Sequence, residues 1–229
     1  MTLFLIYGND SVGKSVQCRS ICEANSDDAI YVSLELKNRK LLRDTPFEIF
    51  EALALAPAPK YEIDYLSTYD RIGKAVENIL TSNKYKTVVI DGISDFPKYA
   101  EKVVIKELQK KNPSLKVIGK ENLQAWAARN NLAHMPLERL SAWAVVTDAN
   151  VYLTSLMTDE YVGETRVGRT VDAKDRLRKL CDVRVMLTND GRGRLATFDK
   201  LPDWAEHRDD TVKVDKMGLL KEFGLRGLM

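Results

Sequence analysis

Histidine and cysteine, the residues that most often build metal and redox sites, are rare in this chain. There are two histidines and three cysteines among 229 residues. Cys18 and Cys22 lie four residues apart on a predicted helix, and Cys181 is far along the chain. A structural zinc site needs four soft ligands, so we favour buried free thiols over a zinc site, which stays the alternative. So sparse and odd a set does not suit a disulfide scaffold, and we expect a reducing compartment.

Long apolar runs and a strong net charge are also absent. No stretch approaches the length of a membrane span, and the apolar residues 1–7 lack a basic leader and a cleavage site. We therefore expect a cytoplasmic protein, in the host cytoplasm if it is viral, with no membrane partner. The 35 Lys and Arg against 33 Asp and Glu leave a net charge of +2. Any nucleic-acid surface must therefore be local.

Short β-prone runs alternate with segments of helical periodicity, which predicts an α/β protein with a mainly parallel sheet flanked by helices. We expect a C-terminal β-hairpin at the sheet edge, turning at Asn189–Gly193. The length suits one domain, residues 1–203, followed by a tail with a short helix, residues 204–229. The predicted strands are residues 3–7, 29–34, 87–90, 151–156, 183–187 and 195–198.

Three segments carry local expectations that the structure can test. Pro46 is predicted to open a short apolar helix through Leu55, and Pro136 to be the first residue of another helix. The polar, glycine-containing stretch 158–173 has little periodicity and predicts a mobile loop.

The most specific motif follows the first predicted strand and precedes a predicted helix. It fits the pattern G-x-x-x-x-G-K-[ST], the signature of a phosphate-binding loop. Glycines let the backbone turn its N–H groups toward phosphate oxygens, and the following helix points its N-terminus at the same place. We expect Lys14 to contact the β- and γ-phosphates of ATP and Ser15 to ligate Mg²⁺. The loop consists of Gly8, Asn9, Asp10, Ser11, Val12, Gly13, Lys14 and Ser15.

Two carboxylates follow buried strands and complete a candidate catalytic site. Asp91 lies 77 positions after Lys14 and ends a hydrophobic strand. A Walker B aspartate has this place at a strand end, so Asp91 is expected to hold Mg²⁺. Glu35 ends the second strand, where a carboxylate can orient or deprotonate a water molecule. The alternatives are a turn-capping Asp91 and a solvated Glu35. In parallel sheets ligands bind at the carboxyl ends of strands, so Gly8, Glu35, Asp91 and Thr154 are expected around one crevice.

With Glu35 in this position the sequence resembles RecA-like ATPases, and more closely their short, phage-type members. The resemblance covers residues 2 to about 203 in element order, although specific motifs cover only the loop, Glu35 and residues 88–95. It implies that Thr154, with Ser155 beside it, senses the γ-phosphate. It also implies a homo-oligomer, a ring or a filament, in which Lys200 reaches the neighbour's nucleotide. Pro202 stands where the related pattern has arginine, and a plain exposed Lys200 is the alternative.

The same resemblance implies contact with single-stranded DNA after the strand that carries Thr154. Residues 163–181 hold six Lys or Arg against three Asp or Glu, which suits contacts with a phosphate backbone. The candidate contacts are Arg166, Arg169 and Lys174; a solvated loop without nucleic acid is the alternative.

The leading functional hypothesis is a Mg²⁺-dependent ATPase of DNA recombination, single-strand annealing or replication. A small-molecule or nucleotide kinase would use the same phosphate loop with an arginine-rich lid. A module that binds ATP as a switch without turnover is the third hypothesis.

Overall fold

The apolar runs of the sequence form the strands of one sheet. The computed structural model describes residues 2–119, 122–162, 165–171, 175–191, 193–201 and 211–214. The strands are β1 (Thr2–Gly8), β2 (Ala29–Ser33), β3 (Glu48–Glu51), β4 (Thr87–Asp91), β5 (Asn150–Val162), β6 (Thr165–Val171), β7 (Val183–Asn189), β8 (Arg194–Lys200) and β9 (Thr211–Val214). The helices are α1 (Lys14–Ala24), α2 (Asn38–Leu41), α3 (Tyr65–Ser82), α4 (Phe96–Gln109), α5 (Leu123–Thr147) and α6 (Asp175–Leu180).

The strand order is β3-β2-β4-β5-β1-β7-β8-β9, with β6 paired to β5 outside this path. The strands from β3 to β7 in this order pair in parallel, whereas β8 and β9 are antiparallel. The predicted α/β class with a mainly parallel sheet is therefore confirmed. The register aligns Ser33 with Asp91, Asp91 with Thr154, and Gly8 with Leu156. The carboxyl ends of β2, β4 and β1 thus form one edge, and β5 passes between β4 and β1 with Thr154 and Leu156 at the same level.

Helices cover both faces of this sheet because the parallel strands are apolar on both sides. One face packs under α3, α4 and α5, where Ile72, Tyr99 and Leu140 are buried against the strands. The other face packs under α1, which buries Cys18 and Ile21. Within the described ranges, no helix is both long enough and apolar enough to cross a membrane.

The segment after Pro46 is a strand, so the predicted helix there is wrong. Residues Glu48–Glu51 form β3, which pairs in parallel with β2. An open strand edge offers backbone hydrogen bonds to an adjacent segment, and this pairing overrides the weak helical pattern.

Pro136 does not begin a helix, which corrects the second expectation. It lies inside α5, a single helix of 25 residues. Proline has no N–H group to bond the carbonyl four residues earlier, which here belongs to Leu132. The hydroxyl of Tyr69 on α3 donates to that carbonyl oxygen at 3.0 Å. A bond from a neighbouring helix therefore satisfies the carbonyl that proline leaves open.

Most of the stretch 158–173 is strand rather than the predicted loop, since β5 extends to Val162 and Thr165–Val171 form β6. β5 continues to Val162 and pairs antiparallel with β6, from Met157 opposite Val171 to Val162 opposite Thr165. Its threonines and valines have the β-branched side chains that favour extended backbone, and cross-strand pairing supplies what periodicity lacks.

The second hairpin, β7 and β8, turns where the sequence predicts. β9 then pairs with β8 and forms the outer strand of the sheet. Part of the predicted tail, Thr211–Val214, thus belongs to the sheet; its predicted helix lies outside the described residues.

Candidate functional site

The glycine-bounded loop joins β1 to α1 and takes backbone conformations that glycine favours. Gly13 has φ 100° and Ser11 has φ 63°, both in the left-handed region. The Lys14 ammonium donates to the carbonyl oxygens of Gly8 at 2.9 Å and Asn9 at 2.7 Å. Lys14 is buried, and burial lowers its pKa, with nearby carboxylates acting in the opposite direction. The carbonyl groups of the loop therefore hold the ammonium of Lys14 against the loop backbone.

Gly8 is required by a close approach of the neighbouring strand. A β-carbon at Gly8 would lie 2.4 Å from the carbonyl oxygen of Leu187 on β7 and 2.8 Å from a methyl carbon of Val12. Neither distance leaves room for a side chain, so Gly8 serves the packing of β7 as well as the turn of the loop.

Asp91, at the end of β4, accepts hydrogen bonds from three side chains. Its Oδ2 accepts from the Tyr31 hydroxyl at 2.5 Å and from the Asn38 amide at 2.6 Å. Its Oδ1 accepts from the Thr154 hydroxyl. Asp91 is only 1% exposed. A buried carboxylate needs such donors, and three elements supply them here: β2, α2 and β5.

Thr154 connects Asp91 to the next turn of the chain. Its hydroxyl donates to Asp91 and accepts from the backbone N–H of Gly92 at 2.8 Å. Next to it, the hydroxyls of Ser155 and Ser94 are 3.0 Å apart. The site therefore brings the predicted Thr154 directly against the predicted Asp91. Because β5 continues to Val162, Thr154 lies within the strand rather than near its end.

Glu35 lies two residues beyond β2, and its Cγ would be 3.2 Å from a β-carbon at Gly92. Its Oε2 is 3.2 Å from the Lys37 ammonium, which is also 3.1 Å from Oδ1 of Asp10 in the loop. Burial raises the pKa of Glu35, the Asp91 carboxylate raises it further, and Lys37 opposes both. Lys37 therefore bridges the loop and Glu35 across the mouth of the site.

The donors present suit a Mg²⁺ ion that shares its coordination with phosphate. Magnesium is commonly held by one or two carboxylates together with substrate phosphates and water. Two donors bond Asp91 Oδ2 and one bonds Oδ1, which leaves a lone pair on Oδ1. Ser15, at the start of α1, offers a hydroxyl. The donor atoms of Ser15 and Asp91 are therefore of the kind that the predicted Mg²⁺ site requires.

The cysteines are buried thiols. Cys18, Cys22 and Cys181 are free, and burial raises the pKa of each. Within the described ranges, no group of three or more His, Cys, Asp or Glu side chains could hold a metal ion. Cys18 and Cys22 belong to α1 and pack in the core between this helix and the sheet.

The remaining predicted residues lie away from the loop or have no described side chain. Arg166 and Arg169 belong to β6, where Arg169 pairs with Asp159 of β5. Lys174 lies outside the described residues. The Lys200 ammonium donates to the carbonyl oxygens of Cys181 and, at 3.3 Å, Lys179, at the end of α6. In this arrangement Lys200 is engaged within its own chain.

Sequence reasoning missed four polar residues of the site. Tyr31 lies inside an apolar strand and Asn38 in a basic stretch, so neither carries a motif signal. Lys37 was visible only as part of that basic stretch. Arg194 follows a turn signal, and its place beside the loop depends on β7 lying next to β1. Tyr31, Asn38 and Arg194 can be assigned to the site only once the strand order is known.

Comparisons with known proteins give a family and support the fold. The model of a protein family described as "AAA domain" matches residues 2–205 of this chain. The crystal structure of the RadB recombinase has a TM-score of 0.56 at 14% identity, covering 95% of this chain and 89% of that one. A KaiC-like protein from the hyperthermophilic archaeon Pyrococcus horikoshii OT3 has a TM-score of 0.50 at 14% identity, covering 95% and 87%. A search of curated proteins found no match. The chain belongs to the AAA-domain family, and its fold is that of RecA-like P-loop proteins.

Proposed function

We propose that this protein hydrolyses ATP with Mg²⁺ and uses that activity on single-stranded DNA, in recombination, annealing or replication of a phage type. The observation that carries the proposal is the half-buried Glu35 beside the Asp91–Thr154 pair, at the sheet edge where the phosphate loop begins. A binding module needs the loop, whereas hydrolysis also needs a carboxylate that can act on water.

Hydrolysis follows from the roles that these side chains can take. The oxygen of a water molecule forms a bond to the γ-phosphorus while the bond from that phosphorus to the bridging oxygen of ADP breaks. Glu35 accepts a proton of the water, and its raised pKa brings it nearer to the working pH of a general base. Lys14 leaves its two loop carbonyls and balances the charge of the β- and γ-phosphates.

Magnesium would be held by Ser15 and Asp91. When bound, the ion neutralises phosphate charge. Asp91→Asn should raise the Mg²⁺ concentration that gives half-maximal hydrolysis, because the amide presents less charge to the ion. A Mg²⁺ titration of ATPase rate measures this, and an unchanged midpoint would remove Asp91 from the metal site.

The β5–β6 hairpin is the proposed DNA contact, with Arg166 and Arg169 on β6 and Lys174 beyond it. Support comes from the basic excess of this segment and from the resemblance in fold to a protein titled a recombinase. Phosphate contacts from Lys and Arg give affinity without a requirement for sequence.

A cytoplasmic homo-oligomer, either a ring or a filament, belongs to the same proposal. Contact of Lys200 with a neighbour's nucleotide would require its ammonium to leave the carbonyls at the end of α6. Scattering measurements during size-exclusion chromatography, with and without ATP, give the mass of the assembly.

One experiment separates the proposed activity from its competitors. ADP and free phosphate are measured together, with Mg²⁺ or a chelator, and with or without single-stranded DNA. We expect equal amounts of ADP and phosphate, dependence on Mg²⁺, and a faster rate with the DNA. ADP formed without phosphate, only when a small acceptor is present, would indicate a kinase. Tight binding without turnover would indicate a switch.

A further inference from the structure

Arg194 reaches the phosphate loop from a different part of the chain. It is the first residue of β8 and pairs with Asn189, the last residue of β7. β7 lies next to β1, with Leu187 aligned to Gly8. The end of the β7–β8 hairpin therefore comes to the same sheet edge as the loop.

The guanidinium of Arg194 lies directly against the loop. A β-carbon built on Gly13 would be 3.1 Å from Nε and Cζ of Arg194 and 3.2 Å from Nη1. Gly13 is the N-cap of α1, where the helix dipole is positive. Arg194 thus adds a second cation to a place that already holds Lys14.

Two positive side chains at a helix N-terminus repel each other and the dipole unless an anion lies between them. Lys14 is compensated by two loop carbonyls. Arg194 is half-buried, and in the described part of the chain its guanidinium has no carboxylate or carbonyl partner. An anion at this point would satisfy a charge that the described residues leave uncompensated.

We propose that Arg194 is a second phosphate-binding cation of the nucleotide site, supplied by the same chain, and that it binds the phosphates of ATP together with Lys14. This inference rests on the proposed function, since it assigns a ligand group to the same site. A guanidinium presents parallel N–H donors that match two phosphate oxygens. Because the cation belongs to the same chain, its contact with phosphate needs no neighbouring subunit, in contrast to the role suggested for Lys200.

The test compares Arg194→Gln with wild type by calorimetric titration with ATP and Mg²⁺, using the full chain. Loss of charge-assisted hydrogen bonds should weaken affinity by about tenfold or more. The matched control is Arg139→Gln, an exposed arginine of α5 paired with Glu77 of α3, which should bind as wild type does. The tenfold difference should persist at protein concentrations low enough to leave only monomer.

A chemical measurement on the wild type keeps the test independent of folding defects. An arginine-specific dicarbonyl reagent should modify Arg194 more slowly when ATP is present, while Arg139 reacts at the same rate with and without ATP. Peptide mass spectrometry measures both. Equal affinity of Arg194→Gln and wild type, or no protection of Arg194, would overturn the proposal. A difference that disappears in the monomer would overturn the same-chain part.

These failures can be told apart from failure of the proposed function. If the nucleotide site is correct and Arg194 has no part in it, Lys14→Ala loses ATP binding while Arg194→Gln keeps it. If wild type itself shows no ATP binding, the nucleotide site fails, and this inference fails with it.

Discussion

The sheet edge that carries the phosphate loop and Asp91 shares the strand β5 with the β5–β6 hairpin, but the two regions are built differently. At Asp91 the side chains are buried, and three other elements each donate a hydrogen bond to a single carboxylate. In the hairpin, β6 pairs with β5 outside the main strand path. The proposed catalytic site needs atoms that several elements hold in place, whereas the proposed DNA contact needs mainly positive charge along a backbone. Mutations should therefore have larger effects at the edge than in the hairpin.

The largest effect is expected from Lys14→Ala. ATP binding and turnover should fall below detection, because the β- and γ-phosphates lose their main charge partner. Calorimetry and an ATPase assay measure the two losses. Lys111→Ala, an exposed lysine, is the control and should behave as wild type. Unchanged affinity in Lys14→Ala would contradict the nucleotide site itself.

Glu35→Gln should bind ATP and Mg²⁺ normally and hydrolyse ATP on the order of a hundredfold more slowly, the usual contribution of a positioned base. Since the pKa of Glu35 is raised, wild-type activity should be lost as pH falls through a value above that of ordinary glutamate. A pH–rate profile reports that acid limb, which should shift to higher pH in Lys37→Met because a compensating charge is removed. Glu62→Gln, at an exposed position, serves as control. Wild-type turnover in Glu35→Gln would show that another group acts on water.

Tyr31→Phe removes one donor from Asp91 and should destabilise the fold by about 1.5–3 kcal/mol, the typical value of a hydrogen bond to a charged group. Tyr31 has no exposed surface, so water cannot replace the hydroxyl. Urea unfolding gives the free energy. The control is Tyr61→Phe, 69% exposed, with an expected change within about 0.5 kcal/mol. Equal stabilities of the two variants would mean that the Tyr31 hydroxyl contributes nothing to holding Asp91.

The smallest effect is expected in the hairpin. Changing Arg166 and Arg169 together to alanine should lower affinity for single-stranded DNA and flatten its slope against log salt by about one to two units. Stimulation of hydrolysis by DNA should disappear while the basal rate remains. A filter-binding salt series is sufficient, with Arg43 and Arg71 changed together as the control. Wild-type protein without affinity at low salt would defeat the DNA proposal, and loss of phosphate transfer to a small acceptor would favour a kinase lid.

Local sequence was informative wherever one segment carries both the signal and the structure. The phosphate loop and Asp91 follow strands that are apolar on both faces, so their place at the carboxyl edge could be predicted. The positions of residues that act across the sheet could not be predicted. Asn38 reaches Asp91 over 53 positions, and Arg194 reaches Gly13 only because β7 pairs with β1.

Errors in the predicted elements have the same cause. Glu48–Glu51 became β3 because β2 offered a partner, and Pro136 stays in α5 because Tyr69 bonds the carbonyl that proline leaves open. Residues 157–162 and 165–171 are held as strands by antiparallel pairing. In each case the deciding contact is made with another segment of the chain, and the periodicity of a single segment does not contain it.

β5 is one strand from Asn150 to Val162, with a shift in its pairing between Glu160 and Tyr161, and it joins the phosphate-loop edge to the β5–β6 hairpin. At roughly 3.3 Å per residue, Thr154 and Val162 are about 26 Å apart along the strand. The part from Asn150 to Thr154 pairs with both β1 and β4, and the next two residues pair with β1. The part from Met157 onward carries only β6 among the described strands. A force on the far end would therefore reach Thr154 along the backbone of this one strand, without passing through a loop.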